Sequence, residues 1–117
     1  MRHHNTIRKF GRVKNQREAL IRSLARALIS EGKIVTTEAK AKELRPFIEK
    51  LITKATTIAS RRLIIARLGG GGEKKPAKAL IDVIAPKYKS RPGGYTRIIK
   101  MAPRKSDSSK MAVIEFV

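Results

Sequence analysis

Arg91 and Arg97 stand on either side of a Pro-Gly-Gly turn in the stretch Ser90 to Ile98, SRPGGYTRI. Guanidinium groups are permanently charged forks that match phosphate oxygens, and Gly93 and Gly94 admit backbone that a side chain would forbid. This is chemistry for holding a phosphate backbone close to the chain rather than for making and breaking bonds. Groups that would catalyse are sparse. The only aspartates are Asp82 and Asp107, the two histidines are the adjacent pair His3 and His4, and there is no cysteine. No HExxH, nucleophile elbow or carboxylate pair can be assembled from these, so an enzyme is not expected. Glu38, Glu43 and Glu49 lie among lysines at helical spacing and read as surface ion pairs. His3 and His4 lack further ligands at metal spacing, so neither a metal nor another cofactor is expected. The run Gly69 to Gly72 beside Lys74 and Lys75 lacks the Gly-Lys-Ser/Thr ending of a phosphate loop and reads as a flexible connector.

Charge decides the class of partner. Across 117 residues there are 28 Lys and Arg against 9 Asp and Glu, a net charge of +19. Self-repulsion on that scale makes a polyanion the natural partner. The excess is spread along the chain instead of being gathered on one amphipathic helix, which favours nucleic acid over a membrane surface. No apolar run approaches the ~20 residues of a membrane span. Aromatics make up only 4% of the residues, too few for a protein that stacks single-stranded bases. Contact with phosphates and sugars of a folded nucleic acid fits better. A nucleoid-type DNA binder has the same charge and is the alternative within this class.

The elements that must position these cations follow from periodicity. Residues 1–14 hold Arg2, Arg8, Lys9, Arg12 and Lys14 with little apolar surface, and read as a basic arm that orders on its partner. Residues 15–117 form one domain of ordinary size. Asn15 followed by Glu18 predicts a capping box. The helix behind it carries Leu20, Leu24, Ala27 and Leu28 on one face, widened by Ile21 and Ala25, and Arg22 and Arg26 on the other, with Gly32 closing it. Lys33 to Thr37 is β-branched and extended. Thr37 caps a second helix with Leu44, Phe47, Ile48, Leu51 and Ile52 inward, which Pro46 should kink. A third short helix runs from about Ser60 to Leu68 and carries Arg61 and Arg62. A fourth begins at Pro76, with Ala79, Leu80, Val83 and Ile84 inward, and Pro86 with the basic KYKSR segment ends it.

Tyr95 to Ala102 and Met111 to Val117 are strands joined by a basic loop holding Arg104 and Lys105. An antiparallel pair is the simplest topology, with Ile34 to Thr36 as a possible third strand. The fold class is therefore α+β in two layers: about four helices on a small sheet of two to three strands. The candidate contact residues for nucleic acid are the cations of the arm, Arg22, Arg26, Arg61, Arg62, Arg104 and Lys105, together with the glycine turn.

Taken in order, MRH, REALIRSLARALI, TTEAKAKELRP, SRRL, SRPGGYTRIIK and MAVIEFV resemble the family of protein seventeen of the bacterial large ribosomal subunit over nearly the whole chain. The MRH start and the glycine-tyrosine segment are its most specific marks. The resemblance implies a non-enzymatic cytoplasmic protein of the ribosome, bound to large-subunit rRNA near the exit of the nascent-peptide tunnel and beside other large-subunit proteins. No small-molecule substrate is implied. The family's basic extension carries over onto Arg2, His3, Arg8, Lys9 and Arg12, and its glycine turn onto Arg91, Gly93, Gly94, Tyr95 and Arg97. His4 stands where Arg or Lys is usual, Ser106-Asp107 where Gly-Asp is common, and the four-glycine run is longer than expected.

Overall fold

The computed structural model describes residues 8–55, 61–69 and 75–117. Arg2, His3, His4 and most of the glycine run lie outside the described residues. Helix α1 (Lys14–Glu31) leads into strand β1 (Lys33–Thr37), then helices α2 (Glu38–Ala55) and α3 (Arg61–Leu68). A last helical stretch has three parts: α4 (Lys75–Ala79), a π turn at Leu80–Ile84, and α5 (Ala85–Lys87). Strands β2 (Thr96–Lys100) and β3 (Met111–Phe116) close the order. The architecture is the expected α+β arrangement of helices against a small sheet.

The sheet is antiparallel throughout, in the order β1-β3-β2. The expected hairpin between the last two strands is present, and Lys33–Thr37 supplies the third strand on the far side of β3. Ile34 and Ile98 both pair with Ile114, and Thr36 and Lys100 both pair with Ala112. Alternation turns Ile34, Ile98, Ala112 and Ile114 toward the helices. They join a single core with Ala25, Leu28, Leu44, Ile48, Ile52, Ile64, Leu68 and Leu80.

Three local expectations need correction. The capping box does not form: α1 starts two residues earlier, its N-cap is Val13 in extended conformation, and no side chain caps it. Asn15 Oδ1 instead accepts from the next amide, Gln16 N, at 2.9 Å. The buried face of α1 is Ala25, Leu28 and Ile29, with Ile21 and Leu24 only partly buried and Ala27 exposed. The helix is thus rotated from the predicted stripe so that Ile29 reaches the core. The second helix runs continuously from Glu38 to Ala55 with Pro46 inside it.

The third correction concerns Pro86, which does not itself stop the last helix, although the helix does end where the basic KYKSR segment begins. The amide of Ala85 bonds to Leu80 O, five residues back, and the helix continues to Lys87. Pro86 has no N–H for the Asp82 carbonyl, and its ring would crowd that carbonyl in α geometry; the wider π turn relieves both. The extra residue in the turn swings Val83 out to solvent, 56% exposed, while Leu80, Ile84 and Tyr88 face inward.

Other signals behave as their chemistry requires. Gly32 takes φ 82° and donates to Leu28 O at 2.8 Å, closing α1 in the left-handed conformation that glycine adopts without strain. Thr37 Oγ1 accepts from Lys40 N at 3.4 Å, a long cap at the start of α2. Glu38 is held below the usual carboxylate range, first by its hydrogen bond to Lys42 and further by the charges of Lys42, Lys100 and Lys110.

Candidate nucleic-acid interface

A groove of about 480 Å³ runs between α1 and α2. Its cations are Arg8, Arg17, Arg22, Lys50, Lys54 and Arg67, and among the described residues its acids are Glu18 and Glu43. The floor is apolar: Ile21, Pro46, Phe47 and Leu51. Helical spacing explains the arrangement. Pro46, Lys50 and Lys54 are successive i, i+4 positions on one face of α2, while Ile48 and Ile52 on the opposite side hold that helix in the core. Arg17 and Ile21 follow the same spacing on α1, with Arg22 alongside. The chain before α1 folds over one end. Arg12 N bonds to Lys9 O at 3.1 Å, and Phe10 and Gly11 between them have φ of 54° and 63°. Left-handed backbone at both central residues is the pattern of a type I′ turn, and it sends Phe10 into the groove. Arg8 then reaches Glu43 at 2.7 Å.

The same face of α2 leads to the glycine turn. A shallower cleft is lined by Pro46, Glu49, Lys50, Thr53, Lys54, Gly93 and Tyr95, so Lys50 and Lys54 belong to both depressions. Gly93 and Gly94 have φ of 153° and 64°, and a Cβ at either would meet nothing within 4 Å. The glycines are therefore required by backbone conformation, while the space beside them is open for an approaching partner. Tyr95 is a core residue, 4% exposed, with its ring 5.3 Å from that of Tyr88. Its hydroxyl lies 3.2 Å from Thr53 Oγ1. Tyr88 donates to Val117 O at 2.7 Å, and Val117 N donates to Tyr95 O at 2.9 Å. Burial pushes the Tyr88 phenol up, against the opposing pull of Arg91 and Arg97. Below the turn, Thr96 Oγ1 donates to Glu49 at 2.7 Å, and Arg45 reaches the same carboxylate at 3.2 Å. The turn is clamped from beneath, so what it offers a partner is backbone and arginine, not the tyrosine ring.

The remaining sequence candidates divide by what their side chains already hold. Arg26 donates to Leu68 O at 2.6 Å and so satisfies a terminal carbonyl of α3, a structural task. Arg97 pairs with Glu115 at 3.0 Å across the sheet. Arg61 approaches Asp82 at 3.6 Å. Arg104 makes a two-pronged contact with Asp107, at 3.0 and 2.7 Å, which holds that carboxyl well below its ordinary range. That contact shapes the loop, whose positive φ falls on Ser108, at 59°. Arg91 donates only to Gly93 O within its own turn, at 3.2 Å. Arg12 likewise contacts Phe10 O at 2.9 Å. Lys9, Lys14, Arg62 and Lys105 are exposed. Sequence reasoning missed Arg17, Lys50, Lys54 and Arg67. The i, i+4 spacing of Lys50 and Lys54 is a readable signal, but their meeting with Arg17 and Arg22 depends on how two helices pack.

The described residues form a small two-layer α+β domain with a basic groove between two of its helices. Comparison with known proteins makes this specific. The model of the family described as Ribosomal protein L17 matches residues 20–117. The chain is 48% identical to the large ribosomal subunit protein bL17 of Nautilia profundicola over 120 residues, covering 100% of this chain and 98% of the relative. The bL17 proteins of Persephonella marina and a Sulfurovum species are 53% and 50% identical, covering 100% of this chain and 95% and 100% of those relatives. The chain belongs to the ribosomal protein L17 family. It is accordingly a structural, non-enzymatic constituent of the large ribosomal subunit, and the ribosome is where it resides. No helix among the described residues is long and apolar enough to cross a membrane.

Proposed function

We propose that the chain binds large-subunit ribosomal RNA through the α1–α2 groove and the adjoining glycine turn. The observation that carries this reading is the convergence of Arg17, Arg22, Lys50 and Lys54 from two helices on one apolar-floored groove that continues to Gly93. Phosphates passing along it meet cations on both walls, and the open side of the turn admits a backbone at close range. Arg91 adds a cation at the turn, and Arg62 and Lys105 offer further exposed cations elsewhere on the surface. Residues 1–14 serve as a basic arm that adds RNA contacts through Arg2, His3, His4, Arg8, Lys9, Arg12 and Lys14, while residues 15–117 fold on their own. Arg26 acts in the fold, and Arg97 and Arg104 contact RNA only where they remain reachable beside their carboxylate partners.

The test is a salt titration of binding to large-subunit rRNA. With roughly 6–10 phosphates neutralised, affinity falls about 10³–10⁵-fold between 50 and 200 mM salt. A flat titration sinks the proposal. Deleting residues 1–14 is expected to lower affinity and salt slope while helical content persists; loss of the fold in that deletion removes the arm from the reading. Location near the nascent-peptide tunnel exit is supported by the family resemblance. It predicts crosslinks from this chain to short nascent peptides on stalled ribosomes.

A further inference from the structure

The outer face of the sheet is built differently from every other surface of the described residues. Helices cover the face carrying Ile34, Ile98, Ala112 and Ile114, so the alternate residues point outward. The strand register arranges them in three rows. Lys33, Glu115 and Arg97 form a charged row, and Val35, Val113 and Ile99 form a wholly aliphatic one. Thr37 and Met111 follow, with Met101 beside them through the bond from its amide to Met111 O at 2.9 Å. Val35 is 58% exposed, Ile99 48% and Met101 46%.

We infer that this face is a docking surface for another protein of the large subunit, one that presents aliphatic side chains with a carboxylate opposite Lys33. Three arguments select that occupant. The aliphatic row and the methionines offer neither charge for phosphate nor an aromatic face for bases, and Glu115 repels phosphate while it neutralises Arg97; RNA is a poor fit. A second copy would bring another net charge of +19 against the first. The charged row keeps one uncompensated positive charge, since Glu115 and Arg97 pair at 3.0 Å, and that charge asks for an acidic neighbour of Lys33.

Area sets the terms of the contact. Three strands about 4.8 Å apart and five residues of about 3.4 Å give a face of a few hundred Å² at most. A stable free complex needs about 800 Å² on each partner. The contact therefore forms between proteins already held side by side on shared RNA, where effective concentration replaces area. In this respect the inference rests on the proposed RNA binding.

The experiment separates the two. Large subunits are assembled with the full chain carrying a photo-crosslinking side chain at Ile99, and in parallel at Lys50. An RNA adduct is expected from Lys50, and its absence overturns RNA binding along the groove. From Ile99 the expected product is an adduct with another large-subunit protein, identified by mass spectrometry. Adding Val35→Lys should reduce that adduct about tenfold, because a charge then enters the apolar contact, while the melting temperature of the isolated chain stays unchanged. An adduct to rRNA, an adduct to a second copy, no adduct, or indifference to Val35→Lys each overturns the docking surface.

Discussion

The α1–α2 groove and the glycine turn lie side by side, yet they are built on opposite principles. In the groove, cations from two helices converge above an apolar floor, and Arg8 reaches a carboxylate at its rim, Glu43 at 2.7 Å. At the turn, the tyrosines, Thr96 and Arg97 are engaged by the protein itself, through Val117, Thr53, Glu49 and Glu115. A groove depends on the packing that brings its walls together. A turn depends on local bonds and backbone conformation. The two should therefore fail in different ways.

The largest effect is expected from Ile48→Ala. Ile48 is fully buried behind the face that carries Lys50, so truncation should cost about 2–5 kcal/mol of stability by chemical denaturation. RNA affinity should fall with it, while Leu24→Ala at a partly buried position should cost clearly less. Next comes Arg17→Gln with Lys50→Gln. Removing two phosphate-neutralising charges should lower the salt slope by about 2 and leave the thermal melt within a degree or so. An unchanged slope would mean that RNA does not enter the groove. Gly94→Ala places a Cβ in left-handed backbone at φ 64° and should cost about 1 kcal/mol, with no steric clash to add to it.

The smallest effect concerns Tyr88→Phe, which removes the bond to Val117 O and should cost about 0.5–1.5 kcal/mol. It also changes the response to pH. Burial raises the phenol above its ordinary value, so the folded state holds the proton more tightly than the unfolded chain. That contribution is fully present below about pH 10 and is lost as pH rises through the folded value. Alkaline unfolding monitored by circular dichroism should lose this component in Tyr88→Phe.

Most of the fold was legible because its signals are local. Gly32 ends α1 where the apolar period stops, and the β-branched runs became strands whose alternation fixes the register. The misreadings share a cause: each depends on something a linear pattern does not carry. Asn15 suits a cap, but the first helical bond, Arg17 N to Val13 O at 2.9 Å, had already begun the helix upstream. Pro86 looks like a stop, but a π turn lets the helix pass. For the site, the turn was visible as a motif, whereas the groove was not. Lys50 and Arg17 are far apart in the chain and meet only through helix packing. Tyr95 shows the converse limit, since the motif marks it as part of the turn but does not say that its ring is buried in the core.

The strand order has a consequence for the timing of folding. β1 and β2 do not touch as neighbours; both pair with β3, the last element in chain order. While the chain is being made, β1 and β2 can emerge and wait, but no strand pair exists until Met111–Phe116 follows them. Helices form from local contacts and can be present early, whereas this sheet requires its distant partner. For a chain carrying a net charge of +19, synthesis thus leaves an interval in which cationic helices are present without the sheet that organises them.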